Sequence, residues 1–193
     1  IRDRTMAHKV RKAMADRDAS YQLANLVEMD DSYFGPSGRG QRGRGSKGKV
    51  PVVVAVENRG KKPGFAAMRV VDNLKSVHIA HFAQTEIKEQ QTVRTDGYVS
   101  YYCLSDYGYE LDMRIVGNGP NASKELPWVH TLIANVKSML RGAHHGVSHK
   151  YLQRYLDEFC YRFNRRYWPS QLFNRLLKAA LVTPAVTYAE LSA

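Results

Sequence analysis

Cysteine is nearly absent: Cys103 and Cys160 are the only two in 193 residues. Neither a disulfide framework nor a four-thiolate zinc site can be built within the chain, and a reducing cytoplasm suits it. Long apolar runs are missing too; none approaches the ~18 residues of a membrane-spanning helix, and no signal peptide opens the sequence. Acidic residues are scarce, 18 Asp and Glu against 29 Lys and Arg, giving a net charge of +11 and a pI near 9.7. That balance disfavours an acidic interaction tail and favours a polyanionic partner, and without membrane features the partner is expected to be nucleic acid.

What is present suits one domain with a sizeable core: 44% hydrophobic and 24% charged residues. The sequence opens on Ile1 rather than Met, and an upstream domain is expected to precede it. Residues 1–22 carry Met6, Val10 and Met14 at helical spacing among charges, predicting a short amphipathic helix left from that domain. From Leu23 the texture becomes β-like, "LANLVEMDDSYFG". A glycine-rich basic loop, "PSGRGQRGRGSKGK", separates it from the apolar strand "VPVVVAVEN", and "RGKKPG" turns into a third strand, "GFAAMRVVD". A helix within 74–90, the short strand "TVRTDGY", a helical stretch to Gly108, the strand "ELDMRIVG" and then helices complete the order. Three meandering strands followed by crossovers predict an α/β domain over 23–145: a mixed five-stranded sheet flanked by helices, with a C-terminal helical extension over 146–193.

Two acidic sites close strands. In "VEMDD" alternation puts Leu26, Glu28 and Asp30 on one side and Val27, Met29 and Asp31 on the other. In "RTDGY" Asp96 ends the fourth strand, where Asp before Gly is also a common turn former. If the first and fourth strands lie side by side, Asp30 and Asp96 meet, and two close carboxylates repel unless a cation neutralises them. A hard divalent ion such as Mg²⁺ fits that oxygen-rich chemistry.

The helix "WVHTLIANVKSMLRG" supplies further candidates. Trp128, Leu132, Val136, Met139 and Leu140 form an apolar stripe that takes in Asn135, so the amide is expected to face the sheet. His130, Lys137 and Arg141 form a separate basic stripe, and Asn135 and Lys137 point nearly opposite ways. His144, His145 and His149 lack the partners of a zinc site and are read as loop and cap residues.

The stretches "VEMDDSYFG", "TDGY", "VHTLIANVKSMLRGAHHGVSHKYLQRYLDEF" and "YRFNRR", in that order over roughly 23–170, resemble the catalytic domain of bacterial insertion-sequence transposases of the DDE superfamily. The branch they are most similar to is the ISXO-type group with its "DDNK" signature. The resemblance implies a ribonuclease-H-like fold and DNA cleavage and strand transfer with Mg²⁺, for which Mn²⁺ would substitute. By position it makes Asp30 and Asp96 the metal-binding aspartates, Asn135 the residue replacing the usual Glu, and Lys137 the accompanying Lys; 38 residues separate Asp96 from Asn135. Asp31 is then a supporting residue, and Glu125 and Glu158 are alternative donors should Asn135 not ligate. The implied partner is double-stranded DNA, transposon ends and target, bound by a homo-oligomer in the bacterial nucleoid. Arg39, Arg42, Arg44, Lys47 and Lys49 of the glycine-rich loop, with Arg141, Arg162, Arg165 and Arg166, are candidate phosphate contacts. A ribonuclease-H-like nuclease or resolvase without strand transfer, and an inactive DNA-binding module, are the competing functions.

Overall fold

The β-like run from Leu23 and the valine-rich run from Val50 sit at the centre of the structure. It is a computed structural model describing residues 2–35, 48–114, 122–144, 147–187 and 190. Strands β1 (Leu26–Phe34), β2 (Val50–Asn58) and β3 (Pro63–Val70) form an antiparallel meander; β4 (Thr92–Thr95) and β5 (Glu110–Met113) add in parallel on the other side of β1. The strand order β3-β2-β1-β4-β5 is the mixed, ribonuclease-H-like sheet expected from the sequence. Arg39, Arg42, Arg44, Lys47 and His145 lie outside the described residues.

Alternation along the strands sorts side chains into two cores. Val27, Met29, Val53, Ala55 and Val93 pack on one face with Ile79 and Phe82 of α2 (Ser76–Glu86) and with Tyr101 and Leu104 of a 3₁₀ helix, Val99–Tyr107. Phe34, Val52, Val54, Val56 and Met68 pack on the other with Val129, Leu132, Val136 and Leu140 of α4 (Pro127–Gly142) and with Leu156 and Cys160 of α5 (Leu152–Asn164). Val52 to Val56 are all fully buried, which is why this strand reads as a continuous apolar run rather than an alternating one. A single turn, α3 (Ala122–Glu125), precedes α4.

Strand β3 is an edge, and side chains of α5 meet four of its outward backbone groups. The Asn164 amide accepts from the Ala66 N–H at 2.8 Å and donates to the Ala66 carbonyl at 3.1 Å; Gln153 accepts from the Val70 N–H at 2.7 Å and donates to the Met68 carbonyl at 3.0 Å. Two primary amides from α5 thus stand where a sixth strand would pair, which closes the edge to other chains.

Helix α1 (Arg2–Asp18) lies against α5 and against α6 (Leu172–Val182). Arg11 meets Glu158 at 2.8 Å, and Arg165 meets Asp18 at 2.7 Å. No helix among the described residues is long and apolar enough to cross a membrane.

Candidate active site

Strand β1 presents Glu28, Asp30, Ser32 and Phe34 at successive alternate positions, all on the face covered by α4, and each reaches that helix or a side chain on it. The Glu28 carboxylate is fully buried and accepts three hydrogen bonds: from the backbone N–H groups of Trp128 (2.8 Å) and Val129 (2.9 Å), and from the Asn58 amide (2.7 Å). Two residues on, Asp30 Oδ2 lies 3.2 Å from His130 Nε2, while its Oδ1 accepts the Asp31 N–H at 2.8 Å. Two further on, Lys137 Nζ donates to Ser32 Oγ at 2.6 Å and sits 5.2 Å from the centre of the Phe34 ring.

The electrostatics follow this geometry. The hydrogen bond to Asp30 raises the His130 pKa above its ordinary value against the effect of burial, and the charges of Asp30, Glu28 and Asp96 add to the rise. Burial pushes the Glu28 carboxyl up, with the three donors offsetting part of the shift. Lys137 is pulled down by burial and by the neighbouring cations Lys49 and Arg141.

Asp96 follows the last residue of β4. Parallel pairing of Leu26 with Thr92, Val27 with Val93 and Glu28 with Arg94 brings Asp96 abreast of Asp30 when the register is continued two residues. Asp96 is exposed; its Oδ1 accepts the Tyr98 N–H at 3.0 Å over Gly97, whose φ of +81° suits a residue without Cβ. Asp96 is therefore both a turn former and an open carboxylate at the end of the sheet. Asp31 points to the opposite face, where its Oδ1 accepts from the Tyr101 hydroxyl at 3.4 Å, as alternation required.

Asn135 corrects the sequence reading. It is exposed, whereas the buried stripe of α4 is Val129, Leu132, Val136 and Leu140. At ~100° per residue Asn135 and His130 lie on opposite flanks of that stripe, about 105° and about 115° from its centre, and it is the His130 flank that meets Asp30. Trp128 and Met139, both half-buried, are its margin on the Asn135 side; counting them as core shifted its apparent centre toward the amide. The residue that α4 sets against Asp30 is His130. It lies seven residues before Lys137, two turns and almost in line, and that spacing was the signal in the sequence.

The other candidates separate cleanly. Glu158 is held by Arg11 and, at 3.8 Å, by Arg162; Glu125 lies 3.8 Å from Arg114 and remains partly exposed. Arg165 is not a surface contact for DNA: its side chain is 5% exposed, paired with Asp18, and donates to the Tyr161 carbonyl. Arg166 is spent on the carbonyls of Pro63, Gly64 and Phe163 and lies over the Phe163 and Tyr167 rings. Arg141 and Arg162 stay exposed, and Lys49 is near Lys137. His144 packs on the Tyr155 ring.

Among the described residues no three His, Cys, Asp or Glu side chains form a ready-made metal cage. Mg²⁺ rarely uses one: it is bound through one or two carboxylates and keeps the rest of its octahedron for water and substrate phosphate. An Asp30 carboxylate that keeps partial contact with solvent and an Asp96 carboxylate open to it fit that mode of binding.

Residues 22–164, more than half of the chain, match the ISXO2-like transposase domain. No curated protein matches. Solved structures similar to the chain include the Mos1 transposase catalytic domain with Raltegravir and Mg (13% identity, TM-score 0.40, covering 94% of this chain and 97% of that one). They also include the Mos1 paired-end complex with the left transposon end (12%, 0.38, covering 91% and 62%) and the Mos1 strand transfer complex (12%, 0.37, covering 94% and 63%). The chain thus spans less than two thirds of the Mos1 chains in those two complexes.

Proposed function

The chain belongs to the ISXO2-like transposase domain family, and from that premise we propose that it cuts DNA at the ends of an insertion sequence and joins the exposed 3′-hydroxyl to target DNA. The observation that carries this reading is the pairing of Asp30 with His130 beside Asp96 and Lys137, just beyond the parallel pairing of β1 with β4. Residues 23–145 are the catalytic unit in this reading, braced by α1 and by the helices of 146–193.

Asp30 and Asp96 would hold the divalent cations, Mg²⁺ with Mn²⁺ able to substitute, and His130, hydrogen-bonded to Asp30, would orient that carboxylate toward them. Bound there, such cations would activate the attacking oxygen and neutralise the leaving one in an in-line displacement at phosphorus. Lys137, oriented by Ser32 and flanked by Lys49 and Arg141, binds a backbone phosphate and fixes the strand relative to the carboxylates. Glu28 is not a ligand, because three donors already occupy its two oxygens in a site closed to solvent. Double-stranded DNA is the partner, and a homo-oligomer on paired ends is the acting form.

The test is a donor duplex carrying the terminal inverted repeats, incubated with a supercoiled target and Mg²⁺. Joined product supports the proposal. Cutting without joining points to a nuclease, and binding that is unaffected by Asp96→Asn with no cutting points to a DNA-binding module.

A further inference from the structure

Helix α4 starts without a cap of its own. Leu126 precedes it and offers no side-chain hydrogen bond, and Pro127 occupies the first turn. The free N–H groups of such an end need acceptors. Here they are met from the sheet, by the buried carboxylate of Glu28, 100 and 101 residues away in sequence. The negative charge also sits at the positive end of the helix dipole.

We propose that Glu28 is the positioning residue of this site: it fixes the first turn of α4 on β1 and thereby sets His130 over Asp30 and Lys137 over Ser32. This rests on the reading of Asp30 and His130 as one functional pair.

Three features support it. First, the clamp is adjacent to the chemistry: His130 is the next residue after Val129, and Asp30 is the next same-face residue after Glu28. Error at the clamp is therefore passed on over one helical residue and one strand repeat, with no flexible segment between. Second, the carboxylate cannot turn, because Asn58 of β2 holds Oε1 while the helix amides hold Oε2. Third, the polar contacts that join α4 to this face of β1 run in the same order along both elements, Glu28 to Trp128 and Val129, Asp30 to His130, Ser32 to Lys137. Setting the first rung sets the others.

Positioning makes an unusual demand on substitutions, since reach matters more than charge. Glu28→Gln keeps the length and an acceptor oxygen; Glu28→Asp keeps the charge and withdraws it by one methylene. In the metal-free full chain, NMR contacts between the His130 ring and β1 protons are compared for both variants, with β1–β2 cross-strand contacts reporting an intact sheet. The expected result is that Glu28→Gln retains the His130 contacts and cleaves within about threefold of wild type. Glu28→Asp should lose them and cleave more slowly by on the order of ten- to a hundredfold, at unchanged KM for DNA. The reverse order, or His130 contacts equal in both variants, overturns the proposal. The underlying reading is tested separately by Mn²⁺ titration of the wild-type chain and Asp30→Asn: equal affinity removes Asp30 as a ligand but leaves the NMR comparison to decide the role of Glu28.

Discussion

The His130 imidazole lies 3.2 Å from the Asp30 carboxylate, while Asn135, five residues along the same helix, is turned out to solvent. The helix rotation that puts one against the sheet removes the other. Asp30→Asn, Asp96→Asn and His130→Gln are each expected to lower DNA cleavage and joining by on the order of a hundred- to a thousandfold, the loss of several kcal/mol of transition-state stabilisation. Asn135→Ala should stay within about threefold, as a surface change does. Single-turnover cleavage of a labelled donor end measures all four; a severe defect in Asn135→Ala would contradict the assignment.

Lys137 is read as a phosphate contact rather than a ligand. Lys137→Ala should weaken binding to any duplex alike, and should lower the slope of log affinity against log salt by about 1. Fluorescence anisotropy across a salt series gives the slope. An unchanged slope with lost cleavage would show that the ammonium acts on the reacting atoms instead.

Asp157, remote from the site, is largely buried against Arg69 and Gln153, and burial lifts its pKa to about 6. A carboxyl raised above its unfolded value binds its proton more tightly in the folded chain. Its contribution therefore falls as pH rises from about 4 to about 6, and the full penalty, on the order of 2–3 kcal/mol, stands above that. Asp157→Asn should be more stable than wild type at pH 7.5, with the advantage vanishing near pH 4. Urea denaturation of both proteins across that range measures the difference.

Asn164 closes the sheet edge by pairing both backbone groups of Ala66 and also donates to Asp18 at 3.1 Å. Asn164→Ala leaves a buried N–H and carbonyl without partners, and a loss of roughly 2–4 kcal/mol is expected in urea denaturation. Gln153→Ala, nearer solvent, should cost less.

Much of the fold was legible because local rules and tertiary structure agree in it. Alternation in "VEMDD" placed Asp30 and Asp31 on opposite faces, and the meander followed by crossovers gave the strand order. The glycine after Asp96 marked the turn that ends β4. The site was legible only in part. The face of α4 was misjudged because Trp128 and Met139 are half-buried margins of the stripe, and large apolar residues look the same in sequence whether at the margin or the centre. Glu28 carries no signal of its role: it sits among core residues at a position where only the arrival of an uncapped helix end gives its charge a purpose. Arg165 and Arg166 likewise read as a basic surface in sequence, but Asp18 of α1 and the first carbonyls of β3 consume them. Of the basic residues of the glycine-rich loop, only Lys49 falls among the described residues.

The central claim is that Asp30 and Asp96 share one divalent cation, with His130 holding the Asp30 carboxylate in place. Anomalous scattering from crystals of the chain soaked in Mn²⁺ addresses it most directly. The expected result is a peak bound by Asp30 and Asp96, with the His130 imidazole still against Asp30 and Asn135 in solvent. A peak bound through Asn135 with His130 turned away, or Asp30 and Asp96 too far apart to share an ion, would contradict it.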